Sequence, residues 1–321
     1  MLTAVIPVFN EEESLAELHR ELTEVADAER YELEIVFIDD GSTDRSWDEI
    51  TRLAAADPRV RGIRFRRNFG KAAALMAGFR EARGDVVFTL DADLQDDPHE
   101  IPRFLEQLDS GLDVVSGWKK VRHDPWHKVG PSRVFNALVG RLTGVKLHDH
   151  NCGFKCYRRE MLEEIQLYGE MHRFVPVLTA ARGARVGEVV VAHRARKFGQ
   201  SKYGVRRFVK GFLDLLTVYF LTGFNQRPQH LLGTLGLVSF LLGGMGVFVL
   251  SLWWGISRLD GDPLTDLHLH TRAIFYFTIM AVLLGAQFMT IGFLAEQLTA
   301  FQMRGASTYS IRQRTEPTEK R

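Results

Sequence analysis

The stretch DVVFTLDADLQ, residues 85–95, joins an apolar run to two closely spaced acidic side chains. Residues 85–90 have the length and composition of a buried strand, and Asp91 and Asp93 follow where that strand ends. Being two positions apart, their carboxylates can lie on the same side of the chain. A divalent cation would relieve their repulsion, and hard oxygen ligands favour Mg²⁺ or Mn²⁺ over zinc. Gln95 follows at a spacing that fits a further neutral oxygen ligand, so we expect Asp91, Asp93 and Gln95 to hold the metal.

The chain before this stretch alternates between apolar runs and helical patterns. The apolar runs lie at residues 2–8 and 33–38, residues 60–64 are predicted as a third strand, and the helical patterns lie at residues 12–28, 46–56 and 72–82. Such alternation predicts an α/β domain, with a mostly parallel sheet and helices on both of its faces. Ligands in these folds bind at the carboxyl ends of the strands. A second acidic pair, Asp39 and Asp40, is also placed at such an end.

Two long segments near the C-terminus carry no charged side chain, residues 231–256 and 273–295. As helices they would extend roughly 39 Å and 34 Å, enough to cross an apolar bilayer core of about 30 Å. The alternative is a pair of buried helices in a soluble core, although core helices rarely run this long without a charge. Five glycines in the first segment would permit close helix contact in a membrane: Gly233, Gly236, Gly243, Gly244 and Gly246.

Basic residues flank the two segments on the outside, whereas the linker at residues 257–272 carries three aspartates and only two arginines. The excess of positive charge predicts a hairpin with both termini and the large domain in the cytosol, at the cytoplasmic (inner) membrane. Residues 203–221 place Phe208, Phe212, Leu215 and Tyr219 on one helical face and cations on another. This pattern favours an interfacial amphipathic helix, with a helix packed on the domain as the alternative.

Composition excludes some classes of partner. The formal net charge of the 321 residues is +1, so no long-range field favours nucleic acid. The two cysteines, Cys152 and Cys156, lack further ligands at zinc-site spacing and are expected to be reduced thiols. The predicted organisation is a catalytic domain at residues 1–202, interfacial helices at 203–229, a transmembrane hairpin at 230–300 and a cytoplasmic tail at 301–321.

Five motifs occur in a fixed order along the chain: VIPVFNE (5–11), IDDGSTD (38–44), RNFGK (67–71), DADLQ (91–95) and RKFGQSK (196–202). Together they resemble glycosyltransferase family 2, and within it the dolichol-phosphate mannose synthase group and its bacterial polyprenyl-phosphate relatives. The resemblance covers nearly the whole chain. It implies a GT-A fold and an inverting transfer of a hexose from a GDP- or UDP-linked donor to a polyprenyl phosphate. Relatives that assemble as tetramers also make a homo-oligomer an expectation.

The resemblance implies roles for individual residues. The nucleotide sugar would be bound by Pro7, Phe9, Glu11, Ile38, Asp40, Asp91, Ala92, Lys119, Arg196 and Lys202. Lys119 stands where relatives often have arginine. Lysine keeps the positive charge but cannot form the two parallel hydrogen bonds that a guanidinium group makes to a phosphate. Asp93, Arg133 and Asp149 are the candidate catalytic residues, and a structural turn is the alternative for Asp149.

The loop between Gly117 and Phe135 is rich in cations, which indicates either a solvated basic loop or a pocket for a lipid-borne phosphate. We expect the acceptor phosphate to contact Lys119, Arg133 and Arg173, although packing is an equal alternative for Arg173. A phosphate monoester has a second pKa near 6 and is largely dianionic at pH 7. It can therefore attack the anomeric carbon without a general base, and catalysis reduces to positioning and charge compensation.

Three rival functions are weighed against this one. A processive polysaccharide synthase would need a Gln-x-x-Arg-Trp segment, which the sequence lacks. A non-catalytic nucleotide-sugar-binding membrane protein would be expected to lose a metal carboxylate or the Arg/Lys motif, and both remain. A nucleotidyltransferase would be expected to carry a glycine-rich triphosphate loop near the N-terminus, and residues 7–13 contain no glycine.

Overall fold

The structure is a computed structural model. It describes residues 1–120, 126–167, 169–194, 213–215, 217–219, 228–259 and 268–302, apart from some side chains in two helices. The described residues belong to two compact units, the first within Met1–Gly223 and the second within Phe224–Tyr309.

The first unit contains, in the part that the structure describes, seven strands and seven α-helices. The strands β1 to β7 are Leu2–Val8, Leu33–Asp39, Val60–Arg64, Val86–Thr89, Val114–Trp118, Lys155–Arg158 and Val186–Val190. The helices α1 to α7 are Leu15–Glu29, Ser46–Ala56, Lys71–Glu81, Ile101–Asp109, Trp126–Thr143, Arg159–Glu163 and Val175–Ala180. Short 3₁₀ turns at Pro98–Glu100 and Met171–Phe174 precede α4 and α7.

The strands form one sheet in the order β3-β2-β1-β4-β6-β5-β7. Strands β1 to β4 pair in parallel, which confirms the predicted mostly parallel α/β sheet. Strand β6 runs antiparallel between β4 and β5, while β5 and β7 are parallel. The insertion of β6 brings the segment at residues 149–155 next to the end of β4, where Asp91 lies.

Two hydrophobic clusters cover the two faces of the sheet. Along β1, Leu2, Ala4, Ile6 and Val8 pack in one cluster and Val5 packs in the other. The same alternation holds in β2, because successive strand side chains point to opposite faces. Both faces are covered by helices, which explains why these strands are continuous apolar runs in the sequence.

The predicted interfacial segment is described only at residues 213–215 and 217–219, which are helical. Leu215 and Val218 are fully buried in the hydrophobic cluster that includes α3 and α7. The sequence pattern placed Leu215 on a lipid-facing surface, but this side chain packs in the domain core instead. Helical periodicity identifies an apolar face without identifying what covers it. Phe208 and Phe212 lie outside the described residues.

The second unit contains two long helices, α8 at Pro228–Leu259 and α9 at Ala273–Gln302. Both are long and apolar enough to cross a membrane, and most of their residues are exposed, unlike those of a soluble core helix. The two predicted apolar helices are thereby confirmed.

Glycines allow the two helices to approach closely. A Cβ on Gly236 would lie 2.7 Å from the carbonyl oxygen of Gly285, and one on Gly243 would lie 2.7 Å from the nitrogen of Val282. A Cβ on Gly246 would meet the Thr278 methyl group at 2.4 Å, whereas one on Gly244 would contact nothing within 4 Å. The predicted role in close helix contact therefore holds for Gly236, Gly243 and Gly246, and is wrong for Gly244, which lies away from α9.

Candidate active site

The carboxyl ends of β1, β2 and β4 lie side by side at one edge of the sheet. The strand register pairs Pro7 with Ile38 and Val5 with Thr89, so Asp91, two residues beyond Thr89, follows its strand near the level of Pro7 and Ile38. The segments that carry the acidic pairs at residues 39–40 and 91–93 therefore leave the sheet at the same edge, although they are more than 50 residues apart in sequence. This edge is the place where ligands bind in parallel α/β folds.

The loops after β1 and β2 are joined by hydrogen bonds. The Asn10 backbone N–H donates to Ser42 Oγ at 3.0 Å, and the Thr43 N–H donates to Asn10 Oδ1 at 2.8 Å. Asn10 adopts a left-handed conformation with φ of 56°, which asparagine tolerates better than most residues. Phe9 and Glu11 flank Asn10, so this network fixes the loop that carries two of the predicted nucleotide contacts.

Asp40 and Ile38, two of the predicted nucleotide contacts, also make structural contacts that the sequence motifs did not indicate. Asp40 Oδ1 and Oδ2 accept hydrogen bonds from the Phe69 and Gly70 N–H groups at 2.7 and 2.9 Å, so its carboxylate holds the loop before α3. Burial raises the pKa of Asp40, and the two N–H donors partly offset that effect. Ile38 and Ala92 are buried in the hydrophobic clusters, so these two side chains serve packing at the described site.

Asp91 forms an ion pair with Lys71, the first residue of α3. Burial alone would raise the pKa of Asp91, but the Lys71 ammonium outweighs it and lowers the pKa to about 2. The Lys119 ammonium also contributes positive potential there. Asp91 therefore stays ionised at neutral pH, as a metal ligand must.

Asp93 lies in a tight turn after β4. Its Oδ1 accepts a hydrogen bond from the Gln95 N–H at 3.2 Å, and Leu94 between them is left-handed, with φ of 59°. The Leu94 side chain is buried in the core and Asp93 is nearly buried. This anchored turn holds the second carboxylate close to the first along the chain.

The two carboxylates are suited to a divalent cation that a substrate helps to bind. Among the described residues, no three His, Cys, Asp or Glu side chains converge in a way that could hold a metal ion. Asp91 and Asp93 offer hard oxygen atoms at a strand end, and the remaining positions of a six-coordinate ion would be left to water and diphosphate oxygens. The residues present fit a metal–diphosphate complex better than a metal bound by protein alone.

Lys119 pairs with a carboxylate that the sequence analysis did not single out. Lys119 Nζ lies 2.8 Å from Asp96 Oδ1, and the two side chains are 14% and 1% exposed. Burial lowers the pKa of Lys119, but the Asp96 carboxylate and other nearby anions outweigh it and raise the pKa. Lys119 is thereby fixed beside Asp91, with part of its charge already compensated.

Replacing Asp96 by alanine is expected to destabilise the domain by about 3 kcal/mol, because it leaves a largely buried ammonium without its carboxylate. Thermal unfolding of the detergent-solubilised protein measures the effect. The exposed variant Asp109→Ala should change little, and Asp96→Ala combined with Lys119→Met should recover much of the loss. An unchanged melting temperature in Asp96→Ala would contradict this account.

The segment between α5 and β6 forms the opposite side of the site. Asp149 is buried and accepts a hydrogen bond from the Asn151 N–H at 3.1 Å, a turn geometry in agreement with the structural alternative for this residue. Lys155 is buried and donates to the carbonyl oxygens of His150 and Cys152. Burial, together with the Lys71 charge, lowers the pKa of Lys155.

A small pocket adjoins the Lys71–Asp91 pair. It is lined by Lys71, Leu75, Thr89, Asn151, Cys152, Gly153, Lys155, Tyr157 and His172. Asn151 Oδ1 and His172 Nδ1 are buried there and have no hydrogen-bond partner among the described residues. Burial lowers the pKa of His172 well below its usual value, so this ring is neutral at pH 7. Arg173 beside it is buried and pairs with Glu170 at 3.0 Å.

Several predicted site residues lie beyond this description. Arg196 and Lys202 are outside the described residues, as are residues 121–125 of the predicted basic loop. The prediction of a loop is wrong for residues 126–135, which form the first turns of helix α5. Arg133 belongs to helix α5, but its side chain is not among those described. From the predicted set, the described residues of the site include Asp91, Asp93, Gln95, Lys119 and Asp149, and Arg173 lies beside His172 of the adjoining pocket.

Three residues of the site were missed at the level of sequence: Lys71, Asp96 and Gly153. Lys71 closes the RNFGK motif, and a lysine directly after a glycine at a helix start was the available signal. Asp96 directly follows the DADLQ motif and received no role, because its pairing with Lys119 joins residues 23 positions apart. Gly153 gave no signal, because its role depends on a contact with Asp91 across the sheet.

The fold and this site define a class of protein. A mostly parallel sheet, with paired carboxylates after β4 and hydrogen-bonded loops after β1 and β2, is the arrangement of GT-A glycosyltransferases. The chain belongs to glycosyl transferase family 2, whose model matches residues 3–166. This membership confirms the predicted family and the prediction that the chain is a glycosyltransferase.

Characterised relatives cover nearly the whole chain. Dodecaprenyl-phosphate galacturonate synthase of Rhizobium johnstonii is 36% identical over 97% of this chain and 92% of its own length. Undecaprenyl-phosphate 4-deoxy-4-formamido-L-arabinose transferase of Edwardsiella ictaluri is 38% identical over 92% of this chain and 88% of its own. The similarity therefore includes the part of the chain that carries the two apolar helices.

Solved structures show the same fold at low sequence identity. Glucosyl-3-phosphoglycerate synthase from Mycobacterium tuberculosis, in complex with Mn²⁺, uridine diphosphate and phosphoglyceric acid, superposes with a TM-score of 0.54. The match is 17% identical in sequence and covers 69% of this chain and 78% of that one. It supports the GT-A fold.

Proposed function

We propose that the protein transfers a sugar, by inversion, from a nucleotide diphosphate to a polyprenyl phosphate, giving a polyprenyl monophosphate sugar. The observation that carries this proposal is the similarity over nearly the full length to two transferases whose acceptors are dodecaprenyl and undecaprenyl phosphate. The carboxylates at the end of β4 and the cations around them supply the groups that such a reaction needs.

The donor side of the site would bind the nucleotide in the loops after β1 and β2 and its diphosphate near Asp91 and Asp93. A Mg²⁺ or Mn²⁺ ion held by these carboxylates would neutralise the charge that develops on the departing diphosphate. Asp91 remains ionised because of Lys71, and the Asp93 turn is anchored by Leu94.

The acceptor side of the site requires positioning more than proton transfer. A phosphate monoester is already largely dianionic at pH 7 and can attack the anomeric carbon without a general base. Lys119, Arg133 and Arg173 are the cations proposed to offset repulsion between acceptor and donor phosphates. Lys119 and Arg173 are held by Asp96 and Glu170, so their positions are preorganised.

The two apolar helices support a location of the protein at the membrane, where the polyprenyl phosphate acceptor would lie. We propose that α8 and α9 anchor the chain in the cytoplasmic membrane with the catalytic domain in the cytosol. The segments outside the hairpin carry more basic residues than the linker between its two helices, and basic residues stay on the cytoplasmic side. A polyprenyl chain lies in the bilayer, so its phosphate would reach the domain at the membrane surface. From the family resemblance, Arg196 and Lys202 are proposed to bind the donor phosphates. The same resemblance is the basis for proposing a homo-oligomer such as a tetramer.

Purified protein in detergent, mixed with undecaprenyl phosphate and a panel of radiolabelled UDP- and GDP-sugars, tests the proposal. We expect one donor to give a lipid-linked product in which a single phosphate joins sugar and prenyl chain, detected by mass spectrometry. Transfer should stop with excess chelator and return with Mg²⁺ or Mn²⁺. A diphosphate-linked product, or transfer that continues unchanged in chelator, would refute the mechanism.

A further inference from the structure

Lys71 is a positively charged residue that contacts Asp91, one of the predicted metal ligands. It begins α3, and its ammonium group lies against Oδ1 of Asp91. A cation in the first turn of a helix is disfavoured by the helix dipole, and acidic residues are preferred there. Helix stability therefore does not explain a lysine at this position, but the ion pair with Asp91 does.

Both partners of this ion pair are held in place. On the Lys71 side, Asp40 accepts hydrogen bonds from the Phe69 and Gly70 N–H groups, and Gly70 has a positive φ of 93° that favours glycine. On the Asp91 side, the backbone of Gly153 approaches so closely that a Cβ there would lie 2.5 Å from Asp91 Oδ2. The carboxylate therefore presents Oδ1 to the ammonium group in a fixed geometry.

We propose that Lys71 is a positioning residue that couples binding of the divalent cation to binding of the donor diphosphate. Lys71 and a divalent cation compete for the Asp91 carboxylate. Because both are positively charged, they also repel each other when they contact the same carboxylate. A diphosphate adds anionic oxygens that can bind both the metal ion and the Lys71 ammonium group. The two cations then no longer compete for Asp91. The inference rests on the proposed function, because it assumes that Asp91 binds the metal and that the metal binds the donor.

Thermodynamic linkage makes this coupling reciprocal and measurable. In the native protein, the cation alone should bind weakly and a nucleoside diphosphate should strengthen its binding. Without the Lys71 charge, the cation alone should bind more tightly, because Asp91 has lost its competitor. The diphosphate should then add less, because part of its effect in the native protein comes from giving Lys71 a new anionic partner.

The test is Mn²⁺ binding to the full-length protein in detergent, followed by electron paramagnetic resonance with and without UDP or GDP. Lys71→Met should bind Mn²⁺ alone about tenfold more tightly than the native protein, and the strengthening by the nucleotide should fall by a similar factor. Lys71→Arg keeps the charge and should retain most of the native coupling. Lys146→Met, which removes an exposed lysine, should behave as the native protein does.

The outcomes separate this inference from the proposed function. If the native protein binds Mn²⁺ more tightly with nucleotide, and Lys71→Met shows the same affinity and the same strengthening, then Lys71 does not couple the two ligands and only this inference fails. If neither UDP nor GDP changes Mn²⁺ binding to the native protein, both are overturned. A merely structural ion pair would lower the melting temperature of Lys71→Met without tightening Mn²⁺ binding, which also contradicts the inference.

Discussion

Replacing Asp93 by alanine is expected to reduce sugar transfer by at least about a thousandfold, equivalent to about 4 kcal/mol of transition-state stabilisation. The variant removes one of the two carboxylates proposed to hold the divalent cation, and with it the cation's effect on the leaving diphosphate. The initial rate of radiolabelled sugar transfer to undecaprenyl phosphate, measured at saturating donor, gives the effect directly.

The Asp93→Ala variant is expected to fold. It loses the hydrogen bond from the Gln95 N–H to Asp93 Oδ1, which contributes about 1 kcal/mol, while the buried Leu94 still anchors the turn. Its melting temperature should therefore fall only slightly. Asp48→Ala, an exposed acidic residue in α2, is the matched control and should keep native activity. Transfer within a few-fold of native by Asp93→Ala would remove Asp93 from the metal site.

Adding a single methyl group at Gly153 is expected to lower transfer by about a hundredfold or more. The new Cβ would lie 2.5 Å from Asp91 Oδ2 and 2.7 Å from Asp91 Cγ, closer than real Cβ contacts allow. Asp91 would have to move, and a metal ligand displaced by about 1 Å loses its productive geometry. Single-turnover transfer rates measure the loss, and Mn²⁺ binding in the presence of nucleotide should weaken in parallel.

The backbone at Gly153 cannot retreat from this contact. Its carbonyl oxygen accepts a hydrogen bond from Thr89 Oγ1 at 2.8 Å, and the next residue, Phe154, packs 4.4 Å from the ring of Phe104. The Phe154 carbonyl also accepts a hydrogen bond from the Gly117 N–H at 2.9 Å. The side chain of Asp91 is therefore the group that shifts.

Gly140→Ala is the matched control for Gly153→Ala. Its Cβ would meet the Val145 carbonyl oxygen at 3.4 Å, which is ordinary van der Waals contact, and alanine suits the interior of α5 better than glycine does. This variant should keep native activity and melt no lower than the native protein. If Gly153→Ala were as active as Gly140→Ala, Asp91 would not need the position that the structure gives it.

The first half of the sheet was predictable because its determinants are local. Strands β1, β2 and β4 are short apolar runs, and helical periodicity separates these strands and β3 from one another. Their parallel pairing follows from that alternation. The apolar helices α8 and α9 were predictable for the same reason, since length and absence of charge decide them. Asp91 and Asp93 could be placed at a strand end because a strand ends where its apolar run ends.

The second half of the sheet was not predictable in this way. Strand β6 has four residues, one of them the buried Lys155, and its antiparallel place between β4 and β5 depends on pairings with distant segments. The surroundings of the apolar face around Leu215 were not predictable either, because the same helical periodicity occurs in helices that face a bilayer and in helices that pack in a protein core. Only the packing of Leu215 and Val218 in the cluster around α3 and α7 decided between them for these residues.

The amino-acid sequence by itself determined the class of fold, the acidic pair at the end of β4 and the two helices able to cross a membrane, because each depends on residues that are neighbours along the chain. The tertiary structure decided which groups meet: Lys71 with Asp91, Lys119 with Asp96, and the backbone of Gly153 with the Asp91 carboxylate. Each of these contacts joins residues from different elements, so its geometry is fixed by strand order and helix packing. Such contacts decide how a charge behaves, because the strength of an electrostatic interaction depends on distance and burial and not on separation along the sequence.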